Sequence, residues 1–165
     1  MKHVILVIAV ALGLFGMADR ASAAAAAPTA FGLWLNEVQG WIVEAKACDT
    51  GLCAYLVSFR KTKTDDYVAK DSQNPDPNKR DTPLCGLMLI GGFTPSKDDG
   101  DKWENGWVYD PDTGSTYSGE AELVNADKVE LRGYVMVPLF GKTLTLVRQP
   151  DDIARCSVPS KTSKN

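Results

Sequence analysis

A succession of short apolar or alternating segments, each ended by a turn signal, most constrains the fold of this chain. Eight such segments predict strands, at residues 31–36, 41–48, 52–60, 86–93, 103–110, 115–124, 128–137 and 142–148. No convincing long helix separates them. Short turns join most of the later strands, and a closed sheet leaves no exposed edge. The pattern favours an all-β fold, an eight-stranded antiparallel up-and-down β-barrel over residues 24–149.

Two polar stretches interrupt or follow the predicted strands. Residues 61–83 are rich in Asp, Asn and Pro, which predicts a long loop. Residues 150–165 form a polar C-terminal tail that we expect to be loose apart from Cys156.

The N-terminus has the pattern of a secretory signal peptide over residues 1–23. A positive start is followed by an apolar run from Val4 to Met17 and by the small-x-small sequence Ala21-Ser22-Ala23. The apolar run has 14 residues, fewer than the roughly 20 that a membrane-spanning helix needs. We therefore expect cleavage near Ala23 and a periplasmic or secreted protein that does not span a membrane.

Histidine content and charge exclude several classes of function. Cleavage would remove His3, the only histidine. A mature chain without histidine excludes Ser-His-Asp catalysis, Cys-His catalysis and imidazole metal sites. The net charge of −3, without basic clusters, argues against binding to nucleic acid or to an anionic membrane. We expect no cofactor, no metal site and no enzymatic activity, since an enzyme would depend on Asp, Glu or Tyr and no motif indicates one.

Four cysteines indicate two disulfides in an exported chain. They are Cys48, Cys53, Cys85 and Cys156, and four cysteines allow three pairings. Cys48 and Cys53 flank a predicted hairpin turn, where opposed residues lie at a separation that a disulfide spans. This geometry favours Cys48–Cys53, which leaves Cys85–Cys156 to tie the tail to the barrel.

A Gly-x-Trp sequence at the start of the first strand and a basic residue at the end of the last resemble the calycin superfamily of lipocalins and fatty-acid-binding proteins. The residues are Gly32, Trp34 and Arg148. The resemblance implies that Trp34 and Arg148 close one end of the barrel, where a guanidinium can lie on an indole face.

A longer set of motifs resembles a family of small exported bacterial proteins known only as domain of unknown function number 2147. In order, they are Gly32-Leu33-Trp34-Leu35, Cys48 with Leu52-Cys53, Asn74-Pro75-Asp76-Pro77, Gly92-Phe93, Trp103, Tyr109-Asp110-Pro111 with Gly114, Thr116-Tyr117, Arg132-Gly133-Tyr134, and Pro138-Leu139 with Gly141 and Thr143. The resemblance implies a lipocalin-like barrel and export, and no established activity. The chain departs from the family pattern at Leu146, where a Trp is expected, and at residues 135–137, where a glycine is expected.

Aromatic side chains are the first candidates for ligand binding. Trp103, Trp107 and Tyr109 alternate along the predicted fifth strand, and Tyr117 lies on the sixth. If they line a cavity, they favour apolar or ring-bearing ligands. The alternative is that they fill the core of the barrel.

Arg132 and Tyr134 are further candidates, on the polar face of the predicted seventh strand. If that face points inward, Arg132 could bind a ligand carboxylate. If it points outward, Arg132 is solvated and could bridge to Glu120 or Glu122. The apolar character of the opposite face favours the outward orientation.

Two functional hypotheses follow, because an eight-stranded barrel can be filled by side chains or can hold one small ligand. In the first, the barrel binds a small apolar or amphipathic molecule, with Arg132 or Arg148 as a polar anchor. In the second, a packed barrel serves as an envelope-structural or protein-interaction module that contacts an envelope or extracellular protein through residues 61–83.

Overall fold

Eight antiparallel strands follow one another around a closed barrel in chain order, and β8 pairs with β1 to complete it. The structure, a computed structural model, describes residues 29–49, 51–60 and 69–157. The strands are β1 (Gly32–Asn36), β2 (Trp41–Cys48), β3 (Gly51–Phe59), β4 (Met88–Pro95), β5 (Lys102–Asp110), β6 (Ser115–Asn125), β7 (Lys128–Tyr134) and β8 (Lys142–Gln149). The predicted fold class is confirmed. The predicted signal peptide lies outside the described residues.

Helix is confined to two 3-10 turns in the described ranges, Pro77–Lys79 and Pro138–Phe140. No helix there is long and apolar enough to cross a bilayer. The second turn shortens the predicted seventh strand, which ends at Tyr134 rather than Val137, because the chain bends at 135–137 before Pro138 begins the turn. Proline suits the first position of a helical turn and donates no ladder hydrogen bond.

The meander places alternate connections at opposite ends of the barrel. One end, which we call the mouth, carries the β1–β2, β3–β4, β5–β6 and β7–β8 connections. The other end, the base, carries the three remaining connections together with residues 29–31 and the end of β8. The described parts of the long β3–β4 connection, residue 60 and residues 69–87, therefore belong to the mouth side.

The inner face of the base half is densely packed. The ring of Phe93 is fully buried and lies where two glycines leave space for it. A Cβ added to Gly106 would lie 2.0 Å from the Phe93 ring, and one added to Gly119 would lie 2.9 Å from it. One aromatic ring thus fills space that side chains on β5 and β6 would otherwise occupy.

Both disulfides are present, as Cys48–Cys53 and Cys85–Cys156. The hairpin register differs from the expected one, because Cys48 lies opposite Gly51 and Cys53 lies opposite Lys46. The bridge therefore joins diagonal positions, whose Cα atoms are 5.9 Å apart, rather than directly opposed ones.

The C-terminal tail is not loose as far as residue 157. Ile153 packs on the outer apolar face of β1 and β2, formed by Leu33, Leu35 and Ile42. The Cys156 N–H donates to the carbonyl of Val57 at 2.7 Å. The tail therefore covers an apolar strip on the outside of the barrel, and the Cys85–Cys156 bridge holds it there.

A cavity in the mouth half of the barrel

The mouth half of the barrel encloses a cavity of about 410 Å³. Its volume lies within the range of small-molecule sites, about 300–1,000 Å³. The wall is mainly apolar and is formed by Asn36, Val38, Gln39, Trp41, Val43, Leu89, Ile90, Val108, Tyr109, Asp110, Thr113, Tyr117, Leu131, Gly133, Lys142, Leu144 and Leu146.

Four aliphatic side chains form the floor of this cavity. Val43, Ile90, Leu131 and Leu146 also border a second void of about 30 Å³ toward the base, on the far side of the floor. That void has about the volume that one water molecule occupies in liquid water, about 30 Å³. The barrel is therefore hollow in its mouth half and nearly solid in its base half.

A polar hairpin crosses the mouth. Gln39, in the β1–β2 connection, donates from Nε2 to the Asp112 carboxylate of the β5–β6 connection at 3.1 Å. These connections are on opposite sides of an eight-stranded barrel, so the Gln39–Asp112 hydrogen bond spans the opening. Asn36 holds the hairpin in place, because its Nδ2 donates to Gln39 Oε1 at 2.6 Å and its Oδ1 accepts the N–H of Val38.

Lys142 is a cation at the rim of the cavity, and no motif in the sequence indicates it. It lines the cavity at the start of β8 and makes no ion pair with any residue in the described ranges. The rim carboxylate of Asp110 is occupied, because it accepts hydrogen bonds from the Asp112 N–H at 3.1 Å and the Thr113 hydroxyl at 3.0 Å. Among the described residues of the rim, Lys142 is therefore a charged group that remains available to a ligand.

Trp34 and Arg148 lie together at the base. The Arg148 guanidinium carbon is 4.1 Å from the centroid of the Trp34 ring. Its nitrogens donate to the backbone carbonyls of Thr29, Phe31 and Ala126. Trp34 itself is 2% exposed, and its indole N–H donates to the carbonyl of Ala30 at 2.8 Å. These contacts close the base and leave Arg148 on the far side of the floor from the cavity.

The sequence profile of one bacterial family matches residues 32–148, from the first residue of β1 to Arg148. That family is described as "Uncharacterized protein conserved in bacteria (DUF2147)". The chain belongs to the DUF2147 family. No functionally curated protein matches it.

A solved structure shares the barrel of this DUF2147 protein. It is that of HP1028 from the human pathogen Helicobacter pylori, described as belonging to the lipocalin family. The two superpose with a TM-score of 0.64 at 22% sequence identity, over 75% of this chain and 85% of the other. The similarity shows that the DUF2147 barrel is of the lipocalin type.

The prediction that Trp103, Trp107 and Tyr109 share one strand face is wrong. The register of β5 against β6 shifts between Trp103 and Gly106, and Asn105 within the shift has a φ of 61°. An extra residue in a strand reverses the alternation beyond it. Trp103 therefore lines the small void at the base. Trp107 and Tyr109 lie on the opposite strand face, although Tyr109 also reaches the edge of the cavity.

The bulge separates the predicted aromatic cluster into different environments. Trp107 lies against the outside of β4, where a Cβ on Gly91 would be 2.7 Å from its ring. Tyr109 borders the edge of the cavity, and its hydroxyl is bound by the β3–β4 connection. Tyr117 lies opposite Val108 and lines the cavity from β6, as does Trp41 from β2.

Arg132 and Tyr134 lie on the outer face of β7. Arg132 donates to the carbonyl of Pro138 at 2.8 Å, to the carbonyl of Leu139 at 3.4 Å and to the Thr143 hydroxyl at 2.9 Å. Its partners are thus in the β7–β8 connection and at the start of β8, not at Glu120 or Glu122. Arg132 positions that connection and does not reach into the cavity.

A buried carboxylate holds the β3–β4 connection against the barrel of this DUF2147 protein. Asp71 is 1% exposed and accepts hydrogen bonds from the Tyr109 hydroxyl and the Asn74 amide, both at 2.5 Å. Burial, with the hydrogen bond to Asp71 as the next cause, raises the pKa of Tyr109 to about 12. The cluster fastens the connection beside the wall of the cavity.

Replacing Tyr109 by Phe should lower the free energy of unfolding by about 2 kcal/mol, because it leaves a buried side-chain oxygen of Asp71 without this hydrogen bond. The folded-state pKa lies above the unfolded value near 10. The stability that the tyrosine contributes is therefore complete below about pH 10 and is lost as pH rises toward 12. Urea titrations between pH 8 and 11.5 should show this decline in the native protein and a weaker one in Tyr109→Phe.

Tyr117→Phe is the matched control, since the Tyr117 hydroxyl makes no hydrogen bond to another described residue. Equal losses in the two variants would contradict the role assigned to Asp71 and Tyr109.

Proposed function

We propose that this DUF2147 protein is an exported binding protein that holds one small amphipathic molecule in the mouth half of its barrel, and that it is not an enzyme. The observation that carries the proposal is an apolar cavity of about 410 Å³ with Lys142 at its rim, a cation that pairs with no acidic residue in the described ranges. A hollow mouth half favours ligand binding over a fully packed structural module.

The lining indicates the chemistry of the ligand. Its apolar part would contact Trp41, Val43, Leu144 and Leu146. Removing these apolar surfaces from water would favour binding. Its polar end would carry a negative charge and would lie beside the Lys142 ammonium group. Arg132 and Arg148, the anchors suggested by the sequence, are engaged with backbone carbonyls elsewhere.

Two disulfides are consistent with a location outside the cytoplasm, where such bridges form and persist. The N-terminal pattern supports cleavage near Ala23 and release to the periplasm or the medium. A carrier in that compartment would keep an amphipathic molecule soluble outside the cell membrane.

Filling the cavity tests the proposal. Leu144→Trp places an indole in the cavity, because Leu144 lines it opposite Leu131, whereas Thr145→Trp places the same group on the exposed outer face. Titration with dansylaminoundecanoic acid, followed by its fluorescence, should show binding at least tenfold weaker in Leu144→Trp and unchanged binding in Thr145→Trp. Lys142→Gln should weaken binding of this acid by up to about fivefold, in line with an exposed ion pair, without affecting an uncharged analogue of equal chain length.

Native mass spectrometry of the protein recovered from a bacterial periplasm gives an independent test. A bound mass that denaturation removes, and that Leu144→Trp lacks, would identify the class of the natural ligand. If the probe bound no more tightly to the native protein than to Leu144→Trp, the cavity would not be the binding site.

A further inference from the structure

We propose that the β7–β8 connection is a membrane-docking tip that inserts into the headgroup region of a lipid bilayer and brings the mouth of the barrel against it. The part of this proposal that concerns ligand transfer rests on the proposed function. The docking itself rests on the exposure, the rigidity and the charge of this one connection.

Most of the large exposed apolar side chains in the described ranges lie on this connection, which we call the apolar tip, residues 135–140. Met136 is 90% exposed, Phe140 80%, Leu139 79% and Val135 63%. Soluble monomers rarely expose contiguous apolar side chains of this size, and where they do, the patch marks an interaction site. The tip lies between the end of β7 and the start of β8, at the mouth end of the barrel.

The exposed conformation is held by specific contacts. Arg132 binds the carbonyls of Pro138 and Leu139 from below. Gly141 lies close to this network, because an added Cβ would be 3.0 Å from the Arg132 side chain and 2.9 Å from the Gly133 carbonyl oxygen. Polar contacts thus fix the backbone while the apolar side chains point to solvent, so little ordering is needed for docking.

The charges around the tip complement lipid headgroups. Residues 131–144 contain Arg132 and Lys142 and no acidic residue, in a chain whose net charge is −3. Carboxylates of the mouth lie on other connections, as with Glu37, which pairs with Arg60 at 3.7 Å, and Asp112, which accepts from Gln39. Apolar side chains flanked by basic ones are the composition of segments that lie in a membrane interface.

The tip is continuous with the wall of the cavity. Gly133 and Lys142, which lie on either side of the β7–β8 connection, both line the cavity, and Leu144 follows on the same face of β8. A docked tip would place this side of the mouth at the membrane surface. An amphipathic molecule could then pass between bilayer and barrel with little exposure of its apolar part to water.

Vesicle co-sedimentation tests the docking. We would use the disulfide-bonded protein with vesicles of phosphatidylethanolamine and phosphatidylglycerol at 3:1. The double variant Leu139→Ser/Phe140→Ser should bind at least tenfold more weakly than the native protein. The matched control is Phe31→Ser/Val124→Ser, which removes an aromatic and an aliphatic side chain, 43% and 44% exposed, from the base, and it should bind as the native protein does. Lys142→Gln should weaken binding to these vesicles several-fold and have little effect with pure phosphatidylcholine.

Three outcomes would overturn the proposal: no vesicle binding by the native protein, equal losses in the two double variants, or a dimer in sedimentation velocity that the tip variant abolishes without any vesicle binding. The last would assign the tip to a second copy of the chain. Titration with dansylaminoundecanoic acid in lipid-free buffer distinguishes a failure of ligand binding from a failure of membrane docking. If the tip variant still binds the probe, its defect lies in docking and not in the cavity. If the native protein binds vesicles but not the probe, the proposed ligand site is refuted and the docking proposal stands.

Discussion

Replacing Trp34 by Ala should destabilise the barrel by about 3–5 kcal/mol, the range for truncating a buried large aromatic side chain. Trp34 is among the largest fully buried side chains in the described ranges. The substitution opens a cavity at the base, removes the hydrogen bond to the Ala30 carbonyl and leaves the Arg148 guanidinium without the ring on which it lies. A loss of this size is a large fraction of the 5–15 kcal/mol that stabilises a typical domain.

Equilibrium urea unfolding of Trp34→Ala, Arg148→Met and the double variant would measure this effect and its coupling. Since the two side chains are in contact, their effects should not add, and the double variant should be more stable than the sum of the single losses predicts. Additive losses would show that the guanidinium contributes only through its contacts to backbone carbonyls.

Removing the Cys85–Cys156 bridge should cost about 4 kcal/mol, compared with about 2 kcal/mol for Cys48–Cys53, because the bridges close loops of very different length. Cys85 and Cys156 are separated by 71 positions, whereas Cys48 and Cys53 are separated by 5. Loss of the long-range bridge also frees the tail from the outer apolar strip that Ile153 covers.

The matched variants Cys85→Ser/Cys156→Ser and Cys48→Ser/Cys53→Ser provide the measurement, again by urea unfolding with the denaturant slope monitored for each. The larger loss should fall on the first pair, and its unfolded state should expose more surface. A larger loss for the hairpin pair would mean that the tail contributes little and that loop closure does not govern these bridges.

The barrel could be predicted from the sequence because the residues at its turns, such as Pro, Asp and Gly, indicate where the strands end. The Pro-Asp-Thr-Gly turn before β6 is one example, and Gly114 there adopts a φ of 70°. The closing pair of Trp34 and Arg148 followed from a family resemblance and not from any local pattern. Neither signal depends on knowing which end of the barrel is open.

The binding wall could not be predicted with the same success, for two physical reasons. One extra residue at Asn105 reverses every side chain beyond it, and alternation along β5 alone gives no sign of the shift. Lys142 shares a strand face with Leu144 and Leu146, a pattern visible in the sequence. Its importance depends on its position at the rim and on the lack of an ionic partner among the residues that the structure describes, both of which are properties of the assembled barrel.

The Cys85–Cys156 bridge also determines how the molecule responds to mechanical force. β4 to β8 all lie between the two bridged residues, so tension applied to the C-terminus bypasses these five strands and reaches the chain at Cys85. At about 3.4 Å per extended residue, the intact bridge prevents roughly 240 Å of chain from being extended in a pulling experiment. A machine that unfolds proteins by threading them from this end would meet a covalent ring closed by this bridge, and the five strands within the ring can be fully extended only after its reduction.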